Sequence, residues 1–413
     1  MRVLLAPHGT RGDIQPMLAL AVALRNRRHE VSFVAPTNFA AWIAGLGFPC
    51  EPDGVDVEAV LQSPGASLQS VRWQFRYIRR VLVPQLFTAV SRAAAAQRPD
   101  LMVGAGLQFA VSSVAESLGI PSVAALFQPC SIPSSDAPPP VVRAQTMPRW
   151  VNRWLWRFGT PLGDALIRGP VNSGRASLGL KPIAKPMRHI VGQLTIVASD
   201  RDLGPLPTDV PRAVVSTDAW ILQDNRPLDA ALERFLEAGP PPIYMGLGSM
   251  VAANAPQLAA IASRAARAAG ARLVLAGGWA RLDRQLESSE HAIAVRDAPH
   301  QSLFPRVAAA VHHGGAGTTT AAAAAGLPQL ILPHILDQFY WARRVERLGL
   351  GPAAIPIDRV NDEARLAEGF TRVLRIESFR DRAKTLAASI AARSGAEDAV
   401  RLLENLERTV KLR

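Results

Sequence analysis

Short apolar runs separated by amphipathic stretches set the rhythm of this 413-residue chain. Residues 3–7 (VLLAP) are the first run and predict a buried strand. Met17, Leu20, Ala21 and Leu24 then recur at helical spacing. They predict a helix over 15–27 with Pro16 in its first turn, where a missing N–H costs nothing. The pattern predicts strands at 31–35, 101–103, 122–126 and 195–198, with helices at 38–45 and near 108–118. A Pro-, Gly- and Asp-rich tract, 201–242, breaks the rhythm and carries one helix near 228–238. Strands then resume at 243–247, 272–276, 292–295, 307–311 and 329–332, with a helix at 255–269, and the last 50 residues read as helical. Strands alternating with helices predict parallel, doubly wound sheets. The fold class is therefore α/β, with two similar halves joined near residue 220 and a ligand expected between the C-terminal ends of both sheets.

Two segments, 61–98 and 131–175, interrupt this regularity. Residues 72–80 and 149–157 carry Trp73, Phe75, Tyr77, Trp150, Trp154 and Trp156 among seven arginines. Insertions of this size on an α/β scaffold usually build a substrate site. Aromatic rings offer apolar contact area, and arginine at the rim can hold an anionic group. These features suggest the mouth of a site for a large apolar acceptor, or basic amphipathic helices lying on a membrane surface. Equally open is a plain reading in which the rings pack on the first domain and the arginines are solvated.

Composition narrows the picture. Cys50 and Cys130 are the two cysteines, which argues against a disulfide scaffold or a cysteine-rich metal site. No apolar stretch reaches the roughly 18 residues of a membrane span, and no signal-peptide core follows Met1. The expectation is a cytoplasmic protein, with at most peripheral contact at the inner membrane face. The formal net charge is +12, and only four of the 46 basic residues are lysines. No nucleic-acid-binding motif accompanies that charge, so no nucleic-acid partner is expected.

The chemistry concentrates at predicted strand ends. HHGGAGTT, residues 312–319, follows an apolar run and opens a helix. Such a turn puts backbone N–H groups at a positively polarised helix start, where a diphosphate can sit. Asp337-Gln338 follows some twenty residues on and suits sugar hydroxyls; Asp337 could instead cap the next helix. The first strand ends in PHGTRGD, residues 7–13, which lacks the GxGxxG dinucleotide fingerprint. It offers Asp13 at the cleft mouth, as a base or as an N-cap for the helix expected near 15. Three further loops end strands: GLGSM at 246–250, with Ser249 able to reach a phosphate; GGW at 277–279, with Trp279 able to flank a base; and RDAPH at 296–300.

GTRGDIQP at 9–16, GLGSM at 246–250, PHQSLFPRVAAAVHHGGAGTT at 299–319 and DQFYWARRVERLGLGP at 337–352 together resemble the GT-B glycosyltransferases of family 1. Within them the chain resembles sterol glucosyltransferases and the bacterial enzymes that decorate glycopeptide and polyketide antibiotics. The resemblance implies two facing Rossmann-like domains: 1–220 for the acceptor, 221–390 for the nucleotide sugar, and a C-terminal helix, 391–413, packing back toward the first domain. It implies an inverting transfer from a UDP- or dTDP-sugar that needs no metal and no further cofactor. Asp13 would be the general base. Thr10, Arg11, Ser249, His312, Thr318 and the amides of Gly314, Gly315 and Gly317 would hold the diphosphate. Asp337 and Gln338 would hold the sugar, and Trp279, Ala298 and His300 would complete the donor site. Trp73, Phe75, Trp150 and Trp154 are the expected contacts for an apolar small-molecule or lipid acceptor.

Two departures from the plant-type pattern stand out. Asp297 occupies the position of a base-stacking Trp, and Thr320 that of a ribose-binding Glu, which leaves both UDP and dTDP open. Two rivals share the architecture. One is a nicotinamide- or flavin-dependent oxidoreductase, which the missing GxGxxG disfavours. The other is an inactive relative serving as a partner protein, which the retained Asp13, His312 and Asp337-Gln338 disfavour.

Overall fold

A computed structural model describes residues 1–63, 70–250 and 255–411. Part of the first inserted segment and the last two residues of the expected C-terminal unit thus lie outside the described residues. Twelve strands form two parallel sheets among the described residues. The first sheet holds β1 (Arg2–His8), β2 (Glu30–Ala35), β3 (Cys50–Pro52), β4 (Leu101–Gly106), β5 (Ser122–Leu126), β6 (Leu194–Val197) and β7 (Val214–Ser216), in the order β3-β2-β1-β4-β5-β6-β7. The second holds β8 (Ile243–Gly246), β9 (Leu273–Ala276), β10 (Ala292–Val295), β11 (Ala309–His312) and β12 (Gln329–Ile331), in the order β10-β9-β8-β11-β12.

The period-two rule explains the central strands. Val3 and Leu5 of β1 enter one core while Leu4 and Ala6 enter the core on the opposite face. Both faces are buried, as the unbroken apolar run requires. The strand order reverses between β1 and β4, and again between β8 and β11. In open α/β sheets those switch points are where crevices form for ligands.

Helix Arg11–Asn26 starts four residues before the predicted position. Pro16 therefore sits inside it, not in its first turn. Asp13 is not its N-cap. It lies at the third position, where its carboxylate accepts the Thr10 N–H at 2.8 Å, one half of a capping box. The short strands β3 and β7 carry too few residues for a periodicity to show. In the inserted segments, helix Val71–Tyr77 leads through a π-helical turn into helix Val83–Gln97, and the second segment forms a 29-residue helix, Arg149–Ser177.

The last helix, Gly395–Lys411, leaves the second sheet and packs on the first. Ala399, Val400 and Leu403 join the core formed by Ile14, Leu18 and Trp220. Full burial of a Val or Leu side chain contributes about 1.5–3 kcal/mol, which ties the chain's end to the first half. Glu404 accepts from both Arg27 and His29 at its edge.

Candidate active site

A cleft of about 1800 Å³ runs between the two sheets at the C-terminal ends of their strands. On the first sheet it is floored by Asp13. One Asp13 oxygen takes the Thr10 N–H, and the carboxylate rests on two glycines. A Cβ on Gly9 would stand 2.1 Å from Asp13 Oδ2, and one on Gly106, at the end of β4, 2.9 Å from Oδ1. Both glycines have positive φ, 151° and 67°, so the close approach and the backbone both call for glycine. Burial pushes the Asp13 carboxyl up to about 6, against the opposing pull of the Thr10 N–H and His8.

His8, the last residue of β1, also lines this cleft. Its Nδ1 donates to Asp53 Oδ2 at 2.6 Å, and both side chains are buried. Nothing in the sequence pattern pairs residues 45 positions apart, so the motif reading passed over this dyad.

Arg11 reaches across the cleft. Its Nη1 lies 2.8 and 2.9 Å from the two oxygens of Asp297 in the loop after β10, and its guanidinium covers the Trp42 ring at 5.1 Å. Burial works against charge on Asp297, but Arg11, His300 and Arg226 together hold its carboxyl below the usual range.

The second sheet supplies the expected turn. Helix Ala316–Ala324 opens after Gly315, and its first backbone bond back to Gly315 comes from Thr319, at 3.0 Å. The N–H groups of Ala316, Gly317 and Thr318 precede that bond and carry the helix's positive end. Gly315, Gly317, Thr318, Ser249 and Thr10 all line the cleft.

The two histidines of the turn face different ways, and His312, the one expected at the diphosphate, is turned inward. His312 is fully buried; its Nε2 pairs with Gln329 at 2.9 Å, and its Nδ1 takes the Gly314 N–H at 3.1 Å. Each spends its hydrogen bonds inside the turn, so neither the His312 ring nor the Gly314 amide faces the cleft. His313 does face it. Its Nδ1 is buried without a partner among the described residues, and burial, reinforced by neighbouring histidines, holds it neutral. A Cβ on Gly315 would stand 2.4 Å from its Nε2, so this glycine makes room for the ring. His334 Nε2, also on the cleft, is likewise buried and unpartnered among the described residues. An orphaned buried nitrogen costs about 1–3 kcal/mol unless a ligand or water meets it.

Asp337 lies on the cleft, and its Oδ2 accepts from Trp341 Nε1 at 3.1 Å. It makes no capping bond to helix Gln338–Leu348. Burial, helped by the charge of Asp13, raises its carboxyl to about 7. The residue before it, Leu336, is held at φ 53°, a left-handed conformation costing on the order of 1–3 kcal/mol. Gln338 turns partly away from the sugar role. Its Oε1 braces the loop by accepting from His334 N and Ile335 N at 2.7 and 3.1 Å, and its amide nitrogen contacts Met250 Sδ at 3.3 Å.

One more expected donor-site residue proves to be core. Ala298 is buried in the core and does not line the cleft. Trp279 lines it, yet its ring stacks on Phe39 at 6.3 Å and so spans the two halves. His300 lines it too; it pairs with the Tyr244 hydroxyl at 3.2 Å and stacks on Phe304, and burial pushes its pKa down to about 3.

The aromatic segments divide. Trp73 lines the cleft and stacks on Tyr77 at 5.4 Å, and Trp156 lines it with its Nε1 held by the Ala137 carbonyl. Ile78, Phe109, Leu166 and Met187 add apolar lining at the same end. Phe75, Trp150 and Trp154 point out; the two tryptophans are 65% and 58% exposed. Helical geometry is the reason, since residues two apart on a helix face nearly opposite directions. Among the described residues, no three His, Cys, Asp or Glu side chains cluster as a metal site.

Two family models match the chain. The Glycosyltransferase family 28 N-terminal domain matches residues 3–131, and the Erythromycin biosynthesis protein CIII-like, C-terminal domain matches residues 283–406. The chain is 39% identical to the vancomycin aglycone glucosyltransferase of Amycolatopsis orientalis, over 86% of each chain. It is 35% identical to the dTDP-epi-vancosaminyltransferase of the same organism, over 86% of this chain and 85% of the relative. Its fold matches the crystal structure of glycosyltransferase VinC in complex with DTDP, with a TM-score of 0.71 at 22% identity over 99% of this chain and all of that one.

Proposed function

This chain belongs to the GT-B glycosyltransferases of family 1, and from that premise we propose an inverting, metal-independent transfer of a hexose from a UDP- or dTDP-sugar to a hydroxyl of an apolar small molecule. The observation that carries this reading is the shared cleft, into which the Asp13 carboxylate and the start of helix Ala316–Ala324 both open. Asp13 takes the acceptor proton as oxygen attacks the anomeric carbon. A carboxylate raised to about 6 is a better base near neutrality than an ordinary one. The departing diphosphate gathers its charge at the helix start, where Gly315, Gly317, Thr318 and Ser249 supply donors. These donors, with Arg11, do what a divalent ion does elsewhere.

His313 joins that set, while His312 orders the turn; the His334 Nε2, left an acceptor because Nδ1 donates to the Leu332 carbonyl, takes a hydroxyl instead. Asp337 meets the sugar hydroxyls. A relative named for a dTDP-sugar supports dTDP, and the name of the glucosyltransferase relative leaves the nucleotide open, so both stay in the reading. Residues 1–220 serve the acceptor, 221–390 the donor, and 391–413 return to the first unit. Among the described residues no helix is long and apolar enough to cross a membrane. We take the protein as cytoplasmic, with the outward ridge Trp150, Trp154, Phe158 and Leu162 making peripheral contact with the inner membrane face.

The test is a donor panel followed by mass spectrometry. Purified protein is incubated with UDP-glucose and dTDP-sugars against sterol, lipid and polyketide aglycones. A glycosylated product with inverted anomeric configuration supports the reading. Retention of configuration, or turnover that a chelator abolishes, overturns the mechanism.

A further inference from the structure

The His8–Asp53 dyad is the feature of the cleft that the transfer just described leaves unused. Both residues are buried, 2% and 3% exposed, and the 2.6 Å separation is that of a charge-assisted bond. Asp53 is itself fixed. Its second oxygen accepts the Val55 N–H at 2.8 Å, and its own N–H bonds the Ala35 carbonyl at 2.9 Å. A carboxylate at Nδ1 keeps the proton on that nitrogen, which leaves the Nε2 lone pair free. No hydrogen-bond partner meets Nε2 among the described residues, and the ring lines the cleft. His8 is also near enough to Asp13 for the two side chains to interact electrostatically.

A base oriented by a third group is the layout that activates hydroxyl nucleophiles. A buried ion pair is by contrast a weak device for stability, because desolvation consumes much of the attraction. We infer that His8 is a second proton acceptor at the acceptor end of the cleft, touching the acceptor hydroxyl alongside Asp13, and that Asp53 is its positioning residue. This rests on the transferase reading above.

The step balances as follows. The acceptor oxygen forms its bond to the anomeric carbon while the bond from that carbon to the diphosphate oxygen breaks, and the diphosphate leaves with the electron pair. The acceptor proton passes to neutral His8 Nε2 in those turnovers in which the Asp13 carboxylate does not take it. The resulting imidazolium faces the Asp53 carboxylate, and its proton is later lost to water. The titratable groups around the dyad are Asp13 on helix Arg11–Asn26, and Tyr77 and Cys50, which face Asp53.

The test compares kcat–pH profiles of the parent, His8→Gln and Asp53→Asn, using hydrolysis of the nucleotide sugar by water as well as transfer. His8→Gln is expected to lower kcat severalfold while Asp13 is present, short of the roughly 100-fold that loss of a sole general base costs, with donor KM within about twofold. The Asp13→Asn background should retain a slow rate that follows the protonation of a histidine, and adding His8→Gln should remove it. Asp53→Asn should shift that limb and not abolish it. A His8→Gln profile that superimposes on the parent's overturns the dyad while leaving the transferase intact. A parent that turns over no nucleotide sugar overturns both. Should His8→Gln fail to fold, ¹⁵N-histidine NMR of the parent decides: a proton on Nδ1 with a titrating Nε2 supports the dyad, and a proton on Nε2 at neutral pH overturns it.

Discussion

Arg11 and Asp297 join the two halves of the molecule across the cleft: one guanidinium nitrogen lies within 2.9 Å of both carboxylate oxygens. The pair is partly exposed, 35% and 53% for the two side chains, so its direct contribution to stability is small, about 0–1 kcal/mol. Its consequence is for binding. Asp297→Ala should release Arg11 toward a diphosphate and leave nucleotide affinity equal to or above the parent's. Arg11→Ala should weaken it. Calorimetry with UDP and dTDP checks both, and equal losses from the two variants would place Asp297 itself on the ligand.

Asp13→Asn should cut turnover at least about 100-fold with donor affinity little changed. It should also stabilise the fold at neutral pH. The folded carboxyl titrates near 6 and the unfolded one near 3.8, so the native state holds the extra proton between these values. Stability therefore falls as pH rises through that window. Removing the charge should return stability on the order of 3 kcal/mol at pH 7. Melting curves at pH 4 and pH 7 test this, and a variant less stable than the parent at pH 7 contradicts it.

His312→Ala and His313→Ala should differ in kind. The first strands Gln329 and the Gly314 N–H and should cost about 1–3 kcal/mol of stability. The second should weaken nucleoside diphosphate binding, with a smaller effect on melting. Comparing calorimetric affinity with thermal midpoint in both variants separates ordering of the turn from contact with the ligand.

Asp337→Ala should impair transfer while sparing free UDP or dTDP, because the proposed role of this carboxylate is to meet the sugar hydroxyls and not the phosphates. The competing capping role predicts lower helix stability with normal kinetics, and no capping bond exists for that loss to remove. Equal losses for the full donor and the bare nucleotide would move Asp337 to the diphosphate.

Trp73→Ala and Trp156→Ala should raise acceptor KM much more than donor KM, since both rings line the cleft. Trp150→Ala with Trp154→Ala should leave both constants unchanged in solution. It should reduce cosedimentation with vesicles containing anionic lipid. Unchanged sedimentation would free that ridge from any membrane role.

The sequence by itself determined the architecture and the address of the site. Apolar runs such as 3–7 and 307–311 identify buried parallel strands because only a strand covered on both faces needs unbroken apolar sequence. The motif residues at their ends follow, since a switch point gathers strand-end loops. Tertiary structure decided which atoms face the cleft. His312 and His313 are adjacent in a motif, yet one ring closes a hydrogen-bond circuit with Gln329 while the other meets the cleft. Trp154 and Trp156 are likewise told apart only by the side of the helix that packs. His8 and Asp53 meet because β1, β2 and β3 lie side by side. Sequence pattern reports local periodicity. Which polar atoms remain unspent depends on partners brought from far along the chain.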